Sequence, residues 1–366
     1  MRIAVDGVFF QLTSSGIGRV WLALLQEWAR NGFSKQLAVL DRAGSAPKLP
    51  GIRYVAIPAH NYAALEQDRA GLQKVCNNLQ ADLFVSTYYS TPLTTPALLL
   101  VHDMIPEVMG WPLDEPMWRE KQQALNYASA YLCVSENTAH DLKRLFPPAA
   151  ARPVTLAPNG VDRNVFHPAG DAEIRAFREK YKINRPYFMV VGQRERHKNA
   201  LLFFRGFARL TGREGFDIVC VGGYAQLEPE LAAFVPGAAV HMLRLEDAEL
   251  RAAYTGARAL VYPSKYEGFG LPILEAMTCG CPVISCHKGS IPEVAGDAAM
   301  YVGEDDVEGL VKALSQVLAP DTRATLRALG LERARAFSWE RMAATVSRAM
   351  VDTVNYMSSP SQRDKT

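Results

Sequence analysis

Short apolar runs alternate with longer amphipathic stretches along this chain, and the alternation comes in two successive series. Ile3 to Val5, Gln36 to Leu40, Leu83 to Ser86, Leu98 to His102 and Tyr131 to Ser135 make the first. Tyr187 to Val191, Asp217 to Val221, Val240 to Met242, Ala259 to Tyr262 and Pro282 to Ser285 make the second. Runs of this length and composition, spaced by helical pattern, read as strands buried on both faces, which a parallel sheet covered by helices provides. The chain therefore predicts an α/β fold with two doubly wound, Rossmann-like domains in tandem. A length of 366 residues suits two domains better than one. Helix breakers gather between the series at Pro147-Pro148, Pro153, Pro158-Asn159-Gly160 and Pro168. This sets the predicted division at 1–168 and 169–340, followed by a last helical segment and an unstructured tail over 341–366.

Charge and cysteine usage narrow the function classes. A net charge of +2 is too mild for a nucleic-acid footprint, although it leaves room for membrane-surface contact through the first domain. No apolar run reaches the roughly 18 residues of a spanning helix, and Met1 to Val5 leads straight into a strand pattern, so the expected compartment is the cytoplasm, at most peripheral at the inner face of the membrane. Cys76, Cys133, Cys220, Cys279, Cys281 and Cys286 sit in apolar stretches as reduced thiols would. They lack the paired spacing of a structural zinc site, and no metal ligands are assigned.

One segment concentrates chemistry. Pro263-Ser264-Lys265-Tyr266-Glu267-Gly268-Phe269-Gly270-Leu271-Pro272 leaves a buried strand, passes through a glycine-bearing loop and enters a helix, with Pro272 expected at the first helical position. Backbone N–H groups at such a loop favour an anion, and glycines let a ligand approach the main chain. Glu267 and Glu275 flank that anion site, and because like charges repel, their natural partners are hydroxyl groups rather than phosphate. Phosphate beside polyol describes a nucleotide sugar; the competing reading is a pair of exposed acids around a turn. His102-Asp103 ends an apolar run, at the carboxyl end of a strand, where open α/β sheets bind ligands. Tyr88 and Tyr89 end the preceding one and suit either a sugar or the core. Thr13-Ser14-Ser15-Gly16-Ile17-Gly18-Arg19 precedes a helix expected from about Val20 to Arg30, but does not complete a dinucleotide fingerprint.

Glu267 through Glu275 resembles the E-x7-E motif of retaining glycosyltransferases of the GT-B fold, specifically glycosyltransferase family 4. The similarity extends from Asp247-Ala248-Glu249-Leu250 to Pro292-Glu293-Val294-Ala295-Gly296-Asp297-Ala298. The resemblance implies two Rossmann-like domains with a cleft between them, and a terminal segment from Phe337-Ser338-Trp339-Glu340 that crosses back to the first. It implies that Glu267 contacts hydroxyls of the transferred sugar, that Glu275 holds the ribose, and that the backbone of Gly268, Phe269, Gly270 and Leu271 meets diphosphate and sugar. Val191 to Asn199 resembles the family's basic loop, which makes Lys198 the cation for the diphosphate leaving group. His197 stands where many relatives carry Arg, so Arg194 is expected to supply the second cation, ahead of Arg196. Gly16 and Gly18 match the glycine-rich loop facing the donor, His102 with Asp103 a pair near the reaction centre, and Leu245 a position for base recognition through the backbone.

The expected function is transfer of a hexose from a nucleoside diphosphate sugar, UDP-hexose before GDP-hexose, to a glycan or lipid-linked acceptor, as in bacterial surface polysaccharide synthesis. No cofactor beyond the donor is expected. The chain has no Asp-x-Asp, so cations and backbone dipoles should replace a metal. The alternatives are a nucleotide-sugar epimerase or hydrolase on the same fold, or a catalytically silent sugar-nucleotide-binding subunit. A nicotinamide-dependent oxidoreductase would need a completed glycine fingerprint, which neither half shows.

Overall fold

The computed structural model describes residues 1–12, 16–194 and 196–359. Thr13, Ser14 and Ser15 of the glycine-bearing segment, Glu195 of the basic loop, and the tail from 360 onward lie outside the described residues. The chain divides into two compact units, Met1–Gly160 with Ser338–Thr366, and Val161–Phe337. The division thus falls at residue 160 rather than 168. Residues 161–168 belong with the second unit because Phe166 is buried there, Arg163 donates to the Ala334 carbonyl at 3.1 Å, and His167 contacts Arg251.

The first unit carries β1 (Ile3–Asp6), β2 (Leu37–Arg42), β3 (Arg53–Ile57), β4 (Leu83–Ser86), β5 (Ala97–Val101), β6 (Ala130–Cys133) and β7 (Val154–Leu156). They form one parallel sheet in the order β3-β2-β1-β4-β5-β6-β7. Ser135 caps helix Glu136–Leu145, its hydroxyl accepting from the Thr138 N–H at 3.0 Å. The last helix, Trp339–Ser358, buries Met342, Ala343, Val346 and Met350 and packs on helix Gly16–Asn31, where Trp28 Nε1 donates to the Ala343 carbonyl. Gly160 has to be glycine, because a Cβ there would lie 2.1 Å from the Trp339 nitrogen. Among the described residues, no helix is long and apolar enough to cross a membrane.

The second unit carries β8 (Tyr187–Val191), β9 (Asp217–Val221), β10 (Val240–Leu243), β11 (Ala259–Tyr262), β12 (Val283–Cys286) and β13 (Ala299–Val302), again all parallel, in the order β10-β9-β8-β11-β12-β13. Phe188, Phe203, Phe204 and Phe207 fill its core without solvent exposure, each burial being worth about 2 kcal/mol. Strand order reverses between β8 and β11, so their connections leave in opposite directions and open a gap at the carboxyl ends, where ligands bind in this architecture.

The equivalent reversal in the first unit, between β1 and β4, is closed by charge. Arg42 at the end of β2 reaches Asp6 at the end of β1 (2.6 and 2.8 Å) and Asp68 (2.6 and 2.8 Å). His60 continues the chain, with Nδ1 3.4 Å from Asp68 and Nε2 3.3 Å from Glu120. Burial opposes the His60 charge, but Asp68 and Glu120 outweigh both burial and the neighbouring Arg42, moving its pKa from 6.5 to about 9. A raised folded-state pKa adds stability that is complete below pH 6.5 and is lost as pH rises towards 9, on the order of 3 kcal/mol at most. His60→Gln should therefore flatten the fall in unfolding free energy over that window in denaturant titrations. A variant curve parallel to that of the unmodified chain would show that the ring carries no charge.

Candidate functional site

The gap between β8 and β11 is built by two loops that hold each other. β11 ends at Tyr262, and the following Ser264 hydroxyl lies 3.1 Å from the His197 carbonyl and 3.0 Å from the Tyr266 carbonyl. Lys265 N–H donates to the same His197 carbonyl at 2.7 Å. The loop following β8 closes with a helical turn, Arg196–Lys198, bracketed by two non-glycine residues in the left-handed region, Arg196 (φ 52°) and Asn199 (φ 54°). Such conformations cost about 1 kcal/mol or more each and persist where surrounding contacts fix them. Here Asn199 Nδ2 donates to the Glu304 carbonyl at 2.8 Å. Lys198 is thereby aimed at the end of β11.

Its ammonium meets both oxygens of Glu267, at 2.7 and 2.9 Å, and the Tyr262 hydroxyl at 2.8 Å. Burial works against the Lys198 charge, but Glu267 and Tyr262 together hold its pKa above the ordinary lysine range. Burial, then Glu267, raises Tyr262, which stays a neutral phenol. Lys198 keeps 22% side-chain exposure, so the pair is open on one side. Such a pair can separate, each member turning to a ligand group of opposite character.

Beyond Glu267 the chain stays buried through Gly268, Phe269 and Gly270. The Phe269 ring packs edge-on against Phe337 at 5.6 Å, which leaves this residue's backbone as the group available to a ligand. Gly270 takes φ 100°, which only glycine adopts without strain, and turns the chain into helix Leu271–Thr278. Leu271 is the first helical residue and Pro272 the second, one position later than the sequence predicts. Glu275 is buried one turn further on and accepts from the Tyr254 hydroxyl at 3.2 Å. Leu245 lies half-buried in the connection after β10, before a helix capped by Glu246 and Glu249.

Arg194 does not take the role expected of it. Its side chain is fully buried, with Nε on Glu228 (2.8 Å), Nη1 on the Gly222 carbonyl (2.9 Å) and Nη2 on the carbonyls of Tyr224 and Gln226 (3.1 and 3.4 Å). The guanidinium is spent on folding the loop after β9, and a diphosphate could reach it only by breaking that loop. Of the two cations named by the sequence, Arg196 is the exposed one.

In the first unit, Gly16 and Gly18 stand inside helix Gly16–Asn31, which starts four residues earlier than expected, so they offer a helix start rather than a loop. His102 follows β5 and is buried, and its Nε2 has no hydrogen-bond partner among the described residues. Burial, reinforced by Lys121 and opposed by Asp103, lowers its pKa to about 4, so the ring is neutral near pH 7. Asp103 accepts from the Ile105 N–H at 3.0 Å and starts the following turn. Tyr88 and Tyr89 stack at 3.9 Å and join the hydrophobic core.

Two family models divide the chain: Glycosyltransferase Family 4 matches residues 14–165 and Glycosyl transferases group 1 matches residues 185–320. The chain belongs to glycosyltransferase family 4, with the GT-B type of two Rossmann-like domains. It is 33% identical over 241 residues to O-antigen chain mannosyltransferase B of Escherichia coli, an alignment covering 63% of this chain and 62% of that relative, less than two thirds of its length. Among solved structures, sucrose-phosphate synthase from Thermosynechococcus elongatus superposes with a TM-score of 0.78 at 19% identity, over 97% of this chain and 100% of that one. Anabaena Alr3699/HepE, solved with UDP and glucose, gives 0.76 at 15% identity over 96% and 99%.

Sequence reasoning passed over the residues that shape the Glu267 loop from behind. Ser290 is fully buried, with its hydroxyl 3.0 Å from the Glu267 carbonyl and 2.9 Å from the Phe269 carbonyl, and its N–H also donates to Glu267. Gly289 lets that segment approach, since a Cβ there would stand 3.0 Å from the Glu267 nitrogen and oxygen. The Gly289-Ser290 pair just before Pro292 was the available signal. Ser290→Ala leaves carbonyls in the loop without their hydroxyl donor and should cost about 1–3 kcal/mol in thermal unfolding. It should also weaken nucleotide-sugar binding in calorimetry while Lys198 and Glu267 remain. Unchanged stability and affinity would show that the loop holds its shape without this hydroxyl.

Proposed function

We propose that this chain transfers a hexosyl group from a nucleoside diphosphate hexose to a glycan or lipid-linked acceptor, with retention of the anomeric configuration. The observation that carries the reading is the half-open Lys198–Glu267 pair at the reversal between β8 and β11, beside a glycine loop that enters a helix. Breaking the anomeric C–O bond leaves negative charge on the β-phosphate, and a preorganised cation with backbone N–H groups stabilises that charge. Donor binding would part the pair, Lys198 turning to the phosphate and Glu267 to the sugar hydroxyls. Glu275, held by Tyr254, is then the acceptor for the ribose.

The relative in Escherichia coli is named as a mannosyltransferase of O-antigen chains, and the Anabaena structure holds UDP and glucose. Both support a hexosyl donor and, for the first, a surface polysaccharide product. We favour UDP-hexose, then GDP-hexose, and reaction without a metal at the inner face of the membrane. Retention by double displacement would need a carboxylate nucleophile with an acid about 5 Å away. Since Glu267 and Glu275 are given to hydroxyls, we infer a front-face reaction. The donor C–O bond breaks, the acceptor oxygen bonds the same face of the anomeric carbon, and its proton passes to the departing β-phosphate oxygen.

NMR of the first product from an α-linked donor should show an α-linkage, and a β-linkage would overturn the mechanism. Lys198→Ala should lower kcat about a hundredfold, the worth of one charge-assisted contact at a developing anion. Near-normal turnover by that variant would remove the lysine from the chemistry.

A further inference from the structure

The second unit has another pocket, at the opposite ends of the strands that carry the site above. It encloses about 250 Å³ between the residues preceding β11 and β12 and helix Pro320–Ala334, and its lining includes Thr255, Gly280, Arg323, Ala324 and Arg327. Tyr262 and the Glu267 loop lie at the carboxyl ends of the same strands, so the pocket is separate from the donor site.

Its charge is one-sided. Arg323 and Arg327 project from one helix face at a spacing of four residues, a like-charged pair that opposes helix formation unless something negative offsets it. Arg258, just before β11, is close enough to depress the Arg323 pKa together with burial. Among the described residues none of these three guanidinium groups forms an ion pair, and Arg323 Nε is buried without a hydrogen-bond partner. The only bond of the Arg327 side chain among them is from Nη1 to the Gly280 carbonyl, at 3.3 Å. Gly280, at φ 70°, makes the bed for that guanidinium: a Cβ there would come within 2.7 Å of Nη1. Helix Pro320–Ala334 also starts at the pocket without a side-chain cap, which adds its positive end, while Asp321 in the first turn faces outward and is exposed.

We propose that this pocket binds a phosphate group, held by Arg323 and Arg327. Planar guanidinium groups present paired donors that match phosphate oxygens, and the buried Arg323 Nε, which has no internal acceptor, is a donor that such an anion satisfies, while Arg327 stands exposed at the pocket's edge. The group can arrive as inorganic phosphate or as the monoester of a small metabolite, and the two sources share this chemistry.

Calorimetric titration of the full chain with inorganic phosphate and, separately, with glycerol 3-phosphate tests the site at constant ionic strength. Binding of at least one should weaken about tenfold or more in the Arg323→Gln/Arg327→Gln double variant and persist in Lys198→Ala; whichever probe binds more tightly identifies the source. Equal affinity in the double variant, loss confined to Lys198→Ala, or no binding to the unmodified chain would overturn the proposal. Should the double variant fail to fold, Ala324→Glu places a carboxylate at the rim with both arginines intact. That variant should lose phosphate binding and gain thermal stability in its absence, and retained binding would count against the site.

Discussion

A strand inside an all-parallel sheet is covered on both faces by helices, so its polar chemistry is confined to its ends. Each unit obeys this constraint, and each places polar and ionisable side chains at the carboxyl ends of strands at or next to the point where the order reverses. Asp6, Arg42 and Ser86 end β1, β2 and β4, while Tyr262 ends β11 and Lys198 closes the helical turn after β8. The two reversals are alike in topology and opposite in outcome. In the first unit Arg42 is 1% exposed and His60 fully buried, and each faces carboxylates on two sides. That network closes the strand ends as a structural core of charge. In the second unit Lys198 has one carboxylate, one phenol and a side open to solvent.

The difference matters because a buried charge is tolerated only when it is compensated, and full compensation leaves nothing for a ligand. Arg194 illustrates the closed case a few residues from the open one. Its guanidinium faces one carboxylate and three carbonyls, which makes it the pin of the loop after β9. Lys198 is partnered just enough to remain charged and oriented. The strained turn from Arg196 to Asn199 has a reason in this setting, since it brings the lysine to β11 while the Asn199 side chain anchors the turn to Glu304.

The sequence made the interior strands legible because β1, β2, β4, β5, β6, β8, β9, β11 and β12 are buried on both faces and so read as apolar runs. The strands it concealed, β3, β7 and β13, all lie at sheet edges, and of the edge strands only β10 was legible, from its apolar Val240, Met242 and Leu243. Arg53–Ile57 alternates exposed and half-buried positions, Val154–Leu156 is three residues long, and Ala299–Val302 buries only its ends. At the site, local features were legible: the glycine loop, the acids eight residues apart, and the lysine before an asparagine. Features made by tertiary contact were not. Nothing in the spacing of Asp6, Arg42, His60, Asp68 and Glu120 announces one network, and Arg194 and Lys198 look alike in a basic loop until their acceptors are known.

Charge that remains unmatched after folding is thus more informative than charge itself. Among the described residues, the fully buried cations Arg42, Lys121 and Arg194 all have carboxylates against them. Against that pattern, Arg323 and Arg327 at the other end of β11 and β12 converge on a pocket with no carboxylate in its lining and with a buried Nε left over. A fold that pairs its buried cations elsewhere has no structural need of the half-buried Arg323 and the exposed Arg327 side by side at Gly280, whose φ of 70° gives Arg327 a bare backbone to lie against. Their physical rationale is an acceptor from outside the chain, at a distance from Lys198 set by the length of the strands between.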